Sequence, residues 1–354
     1  MTLPSTFVEG FHDLDAVTKM KYNPLGETGL LVSHLGFGGG GLANFYESFD
    51  EEEAISVVRQ AIKRGINYID TAAYYGKDRS SERILGKALK GVPRQAYYIG
   101  TKVGRFSADV ATGFDFSYKR TLESVDESLQ LLGLEYVDVI QAHDIEFAPN
   151  LDIVVNETIP ALVDSVKAGK ARFIGVTGYP ISVLKEAIER SQNKIDCVLC
   201  YARSTLHDDT LLGFLPFFQG RKMGIISAAG TSMSMLTNKG PFPWHPAHQE
   251  IKDACSKAAE MCKSQGVELG RLAAFHSLSV QGPATHLLGI NCSKVLEDNL
   301  DVCLNGLTES EEKVLNEIKE KCFAGLTKKH WEGVEVSRYR AAYEKLVEEG
   351  KIKI

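Results

Sequence analysis

Long apolar runs are missing from this chain. Nowhere in its 354 residues do about 18 apolar residues follow one another, so no bilayer-spanning helix and no membrane partner are expected. Cysteine is sparse and odd in number, seven in all, which excludes a disulfide scaffold. Positive charge is not in excess either. Forty Lys and Arg stand against 46 Asp and Glu, a net charge of −6, which argues against nucleic acid as a partner. Residues 1–21 are polar and mixed, without the apolar stretch of a signal peptide. The expectation is a cytoplasmic protein with reduced thiols, in which the sequons at Asn156 and Asn291 are incidental. There is no low-complexity tract, no interdomain linker and no seam of heptads, so a monomer is the default.

What the chain does have is alternation. Short apolar or β-branched runs are each followed by an amphipathic segment. The runs are 35–38, 67–70, 96–102, 137–142, 172–177, 195–201, 223–228 and 286–290. The helical segments are 50–64, 80–89, 117–132, 151–168, 180–191, 208–219, 250–265 and 293–303. Strands alternating with helices imply parallel crossovers, and eight units fit a closed (β/α)8 barrel better than an open sheet. Residues 22–35 read as a hairpin that plugs the barrel floor. Thr308 followed by Glu311 is a capping box that opens an extra helix over 308–322. The organisation expected is an N-terminal extension over 1–21, an α/β barrel over 22–322, and a C-terminal helical tail over 323–354.

A barrel of this kind carries its chemistry at the carboxyl ends of its strands. Asp70 ends the second strand, Lys102 the third, and His143 follows the fourth; Tyr75 lies in the loop after Asp70. Taken singly, each has an ordinary explanation: a cap, a solvated lysine, a structural histidine. Delivered together to one rim, they form a proton donor and acceptor set. An ammonium beside a tyrosine favours the phenolate, so Lys102 is expected to lower the Tyr75 pKa from about 10. Asp70 would hold Lys102, and His143 would orient a carbonyl oxygen. The set suits interconversion of a carbonyl and an alcohol, and since none of the four can carry hydride, a cofactor must.

The run from Gly65 through Asp70 and Tyr75 to Gly76, then Ser81-Glu82 and Gly86, resembles the first signature of the aldo-keto reductases. Ile99 to Lys102, Tyr136 to His143 and Ile174 to Gly178 agree with it in order and spacing. Phe173 to Pro180 and Gly240 to Pro246 resemble the branch of that family containing the L-galactose dehydrogenases, which oxidise a sugar hemiacetal to a lactone with NAD. The resemblance implies a (β/α)8 barrel, a nicotinamide cofactor and the tetrad Asp70, Tyr75, Lys102 and His143, with Tyr75 as general acid/base. It also implies cofactor contacts at Gly39, Gly40, Thr177, Gly178, Ala228, Gly289, Asp298 and Asn299. The substrate class implied is a sugar-like aldehyde or hemiacetal. Two alternatives stand beside it: an NADPH-dependent reductase of small carbonyl compounds, and a regulatory binding subunit of the same fold.

The chain departs from the family pattern at the cofactor. Thr177 and Gly178 stand where many members carry Ser-Asn, Val198 where they carry Gln, and Ala228 where they carry a stacking aromatic. Gly289 and Val295 stand where NADPH-preferring members carry a Lys and an Arg. A 2′-phosphate without them loses charge-assisted hydrogen bonds of about 1.5–3 kcal/mol each, which favours NAD over NADP. Lys294 is the adjacent alternative ligand. Gly36 to Gly41 fits G-x-G-x-x-G but lacks the helix and acidic strand end of a dinucleotide fingerprint. Cys197 and Cys200 alternate to opposite faces of one strand, and His207, His245 and His248 show no ligand spacing, so no metal is expected and loop or surface roles are assigned to these histidines. Phe45, Tyr46 and Phe147 flank the mouth, either as pocket walls or as residues that pack the loops down; Trp244 and Trp331 are similar cases.

Overall fold

The computed structural model describes residues 3–45 and 48–352. A short helix, α1 (Leu14–Lys19), precedes an antiparallel hairpin, β1 (Tyr22–Pro24) and β2 (Leu31–Ser33). Strands and helices then alternate. They run β3 (Leu35–Gly38), α2 (Glu51–Lys63), β4 (Tyr68–Asp70), α3 (Ser80–Leu89), β5 (Tyr98–Val103), α4 (Tyr118–Leu132) and β6 (Val137–Ala142). Next come α5 (Leu151–Ile153), α6 (Ile159–Lys167), β7 (Ala171–Gly178), α7 (Ile181–Arg190), β8 (Cys197–Tyr201), α8 (Leu211–Gly220) and β9 (Gly224–Ala228). Last are α9 (Gln249–Ser264), α10 (Leu269–Ser279), β10 (Thr285–Gly289), α11 (Ser293–Asn305), α12 (Glu309–Ile318) and α13 (Val334–Glu348). Strands β3 to β10 pair in parallel in chain order, and β10 closes on β3 to complete the eight-stranded barrel that the alternation implies.

Two apolar layers hold the barrel. Alternate side chains of the strands point out to the helices, as Phe37, Ile69, Ile99, Ile140 and Val198 do. Their neighbours Tyr68, Tyr98, Val139, Cys197, Leu199 and Ile226 point in, where they meet Leu25, Leu30 and Val32 of the hairpin. The hairpin therefore closes the floor, as expected. Its turn needs a glycine: Gly26 has φ +56°, and a Cβ there would lie 2.3 Å from the Gly224 nitrogen.

Helix starts follow their caps. The Asp50 carboxylate accepts from Glu53 N at 2.7 Å, and Thr308 and Glu311 form the full capping box of α12. Two helical stretches differ from the sequence reading. The expected helix over 151–168 is interrupted by a π turn, Val154–Thr158. Pro160 lies just beyond and has no N–H to give the carbonyl four residues back, so the turn widens. The region between β9 and β10 holds two helices where one was expected. Leu269–Ser279 has no clear polar stripe because it packs between α9 and α11 and against β10, and Leu269, Leu272, Ala273, Ala274 and Leu278 are all buried.

The terminal segments pack onto the barrel. Asn67 ties Thr6 by a 2.9 Å hydrogen bond, and Val17 and Met20 are buried. Toward the other end, Trp331 is 1% exposed and stacks on Tyr179 at 4.4 Å in a second apolar cluster. From there α13 crosses the mouth, where Tyr339 meets Phe114 and Phe147 edge-on. No helix among the described residues is long and apolar enough to cross a membrane. Cys197 faces the interior and Cys200 the helix layer, so the pair stands on opposite faces as expected.

Candidate active site

Strand alternation decides which polar groups enter the barrel mouth. On β5 the Thr101 hydroxyl points outward and donates to Glu82 of α3 at 2.6 Å, so Lys102 points inward. On β4 Asp70 points inward and meets it. The Lys102 ammonium pairs with Asp70, donates to the Thr71 carbonyl at 2.8 Å, and lies 3.4 Å from the Tyr75 hydroxyl. It also sits 4.9 Å from the centre of the Tyr75 ring. Gln141 of β6 donates to the other Asp70 oxygen at 3.0 Å. Gly100 leaves room for this network, because a Cβ there would lie 2.8 Å from Tyr68 Oη and 3.4 Å from Asp70. His143 follows β6, and its ring stands edge-on to Tyr75 with centroids 5.8 Å apart. All four expected residues therefore converge at one place.

The electrostatics differ from expectation at Tyr75. Burial, together with the carboxylates of Asp70 and Asp144, pushes its hydroxyl well above the ordinary tyrosine value. Sequence alone leads to the opposite expectation, a value lowered by Lys102. Asp70 neutralises the lysine it pairs with, and desolvation of the phenolate then dominates. Tyr75 is held protonated. His143 is pushed down to about 3 by burial, with the charges of Lys102 and Arg105 acting in the same direction and Asp144 opposing them. Its imidazole is neutral, and Nδ1 is buried without a partner among the described residues. Nearby, burial and Asp144 push the Glu146 carboxyl well above the carboxylate range. It accepts from Tyr179 N at 2.8 Å as a neutral acid.

The expected cofactor residues fall into groups. Gly39 and Gly40 open a 3₁₀ turn after β3, and the Cβ position of Gly40 is 3.9 Å from the Tyr75 ring. Gly289 ends β10, its Cβ position 3.7 Å from Gly41. Thr177 and Gly178 end β7. The Thr177 hydroxyl accepts from Asp144 N at 3.4 Å, and a Cβ on Gly178 would lie 2.4 Å from Glu146 Oε2. Gly178 is thus the residue that Glu146 requires. Ala228 ends β9 beside Tyr201. Asp298 and Asn299 lie on α11, where Asp298 is exposed and pairs with Lys294 at 2.7 Å. Val198 points outward and cannot replace the family's glutamine, but its inward neighbour Leu199 is equally apolar. Of these residues Gly40 lies against Tyr75, Gly289 lies against Gly41, and Gly178 lies against Glu146.

The aromatics divide. Phe45 lies against Tyr74 at 5.2 Å and faces Tyr75 edge-on at 6.5 Å, so it belongs to the site. Phe147 stacks on Phe114 at 4.5 Å beneath Tyr339 and packs the loops down. Tyr46 lies outside the described residues. His207 and His245 are buried rather than at the surface. His207 Nε2 is 2.8 Å from the Ser232 hydroxyl, and His245 Nε2 donates to the Ser232 carbonyl at 3.1 Å. They clamp a strained loop in which Ala229, Ser232, Met233 and Ser234 all have φ between 51° and 66°. Left-handed backbone at non-glycine residues costs about 1 kcal/mol or more each and gathers at functional loops. No group of three metal-ligating side chains occurs among the described residues.

Sequence reasoning missed Arg105, Asp144 and Gln141. Arg105 lies two residues past β5 and pairs with Asp144, the neighbour of His143. The rule that pointed to Lys102 and His143 points to these positions too. Gln141 had only its place in β6 to mark it.

Comparison with known proteins agrees with this geometry. The model of the aldo/keto reductase family matches residues 34–320. L-galactose dehydrogenase of Arabidopsis thaliana is 42% identical over 287 residues, which is 80% of this chain and 88% of that protein. D-arabinose 1-dehydrogenase of Saccharomyces cerevisiae is 30% identical, over 85% of this chain and 93% of that protein. Among solved structures, an aldo-keto reductase from Bacillus halodurans in its holo form superposes with a TM-score of 0.65. It is 27% identical and covers 84% of this chain and 96% of its own.

Proposed function

The chain belongs to the aldo/keto reductase family, and from that premise we propose that it oxidises the hemiacetal carbon of an aldose to a lactone, using NAD. The observation that carries the reading is the Lys102 ammonium, held by Asp70 within 3.4 Å of the Tyr75 hydroxyl at the barrel mouth. The L-galactose and D-arabinose 1-dehydrogenases to which the chain is similar support an aldose as substrate.

Oxidation of a hemiacetal removes a hydride from carbon and a proton from its hydroxyl. A bound nicotinamide dinucleotide supplies the hydride acceptor. Tyr75 exchanges the proton with the substrate oxygen, a role worth about 10²–10⁴ in rate for a positioned acid/base. Its raised pKa makes the phenol a weak acid and the phenolate a strong base, and Lys102 is placed to steady the phenolate when it forms. Asp70 fixes the ammonium, and Gln141 fixes Asp70. His143, being neutral, can hydrogen-bond the substrate oxygen without placing a second charge beside Lys102.

Gly39, Gly40, Thr177, Gly178, Ala228 and Gly289 would hold the nicotinamide and its phosphates, with backbone N–H groups of the strained loop over 229–234 beside them. Asp298 and Asn299 would meet the adenosine. NAD is preferred in this reading because Gly289 and Val295 leave the start of α11 without the Lys and Arg that a 2′-phosphate would pair with. Lys294 is engaged by Asp298 at 2.7 Å, and the Ser293 N–H is already taken by the Glu53 carboxylate at 3.0 Å. Titration of the purified protein with NAD+, NADH, NADP+ and NADPH by calorimetry tests this. NAD forms are expected to bind at least tenfold more tightly. Equal or tighter NADP binding would overturn the cofactor assignment, and no binding at all would overturn the reading itself.

A further inference from the structure

Resting on the oxidoreductase reading above, we infer that Arg105 and Asp144 form a hydroxyl-recognition subsite beside Tyr75, selecting polyhydroxylated substrates over plain aldehydes. The two come from neighbouring rim positions, after β5 and after β6, and form an ion pair between Arg105 Nη1 and Asp144 Oδ2. The guanidinium carbon is 3.8 Å from the centre of the Tyr74 ring, with Phe114 at 5.3 Å and Phe147 at 5.4 Å. It is thereby fixed in orientation as well as in charge. Asp144 is 2% exposed and its backbone is left-handed, with φ 51°.

The pair is incompletely satisfied. Arg105 Nε, Asp144 Oδ1 and His143 Nδ1 are all buried and without a partner among the described residues. Buried polar atoms in native folds are nearly always hydrogen-bonded, so the orphans on the paired Arg105 and Asp144 and on the adjoining His143 are hydrogen bonds a ligand can complete. Their chemistry states its kind. Nε is a donor and Oδ1 an acceptor, and a hydroxyl group can serve both at once, whereas an alkyl chain serves neither. A buried ion pair adds little to stability by itself, so packing does not explain its retention at the mouth. Glu335 of the overlying α13 accepts from Trp331 Nε1 at 3.1 Å, and burial pushes its carboxyl above the ordinary value.

A site built to bond a hydroxyl discriminates against the analogue lacking it. The test is a cycle between protein and substrate. An aldohexose that the wild-type protein oxidises and its monodeoxy analogues are assayed with NAD+, on the wild type, on Arg105→Lys and on Asp144→Asn. Arg105→Lys keeps the charge beside Asp144 and loses the fork and Nε. NAD+ affinity and the melting temperature verify folding in each. The proposal expects the wild type to lose at least tenfold in kcat/KM on removal of one particular hydroxyl, chiefly through KM. In both variants the same removal should cost less than about threefold, because the partner is already gone. A uniform loss on every analogue would overturn the proposal as a merely structural effect. So would a wild type indifferent to each hydroxyl, which leaves the oxidoreductase reading standing. A wild type that binds NAD+ and oxidises no polyhydroxylated substrate would overturn both.

Discussion

Lys102 has three neighbours within reach of one ammonium, and this accounts for most of the site. Asp70 takes its charge, the Thr71 carbonyl takes a second hydrogen, and Tyr75 receives what remains at 3.4 Å. The sequence identified these residues because each sits at a strand end, but spacing does not report how charges cancel. Tyr75 was therefore expected to have a lowered pKa, and burial gives it a raised one. Arg105 and Asp144 stand at the same rim, but the sequence does not show that the two pair. The pH dependence belongs at this scale. His143 is depressed to about 3, below the unfolded value of 6.5, so it stays neutral across the working range and contributes no titration there. The rate of aldose oxidation is expected to rise with pH along one limb set by Tyr75, with no inflection near pH 6.5. An inflection near 6.5 that disappears in His143→Asn would contradict the neutral imidazole.

Elements were most legible where one face packs and the other is wet. The helices over 51–63, 80–89 and 118–132 match their expected bounds within a residue or so, since each has a polar stripe and Asp50 and Ser117 cap the first and third. The helix over 269–279 was invisible because it is covered on both sides, and the π turn before Pro160 has no periodic signature. From sequence alone Trp331 is either a pocket wall or a packing residue. It is the anchor of the C-terminal segment: it stacks on Tyr179, takes the Tyr179 hydroxyl as hydrogen-bond partner at 3.1 Å, and precedes the Glu332–Arg203 ion pair. Replacing a buried tryptophan by alanine costs about 3–5 kcal/mol in a core that cannot collapse. Trp331→Ala is expected to lower the melting temperature and to raise amide exchange over 334–348 first. The barrel core is a separate apolar cluster, so β3 to β10 should keep their protection. Uniform loss of protection throughout the chain would show that the segment is integral to the barrel.

At the scale of the molecule, eight repeats of one unit determine where the chemistry must be. Parallel strands in chain order bring every strand end to one face, so residues 70, 102 and 143 meet although long stretches of chain separate them. That much was readable from alternation alone. What covers the mouth was not, because α13 reaches it through tertiary contacts of Tyr339 and Glu335 that no local pattern encodes. The account as a whole depends on Tyr75 as the group that carries the proton. The most direct measurement is reduced-nicotinamide formation from aldose and NAD+ by the wild type and by Tyr75→Phe, with NAD+ affinity measured on both. The substitution keeps the ring and removes only the hydroxyl. The expected result is an NAD+ dissociation constant within about threefold of wild type and a turnover at least about 10²-fold lower, the low end for loss of a positioned acid/base. A Tyr75→Phe protein that binds NAD+ and keeps most of its turnover would contradict it.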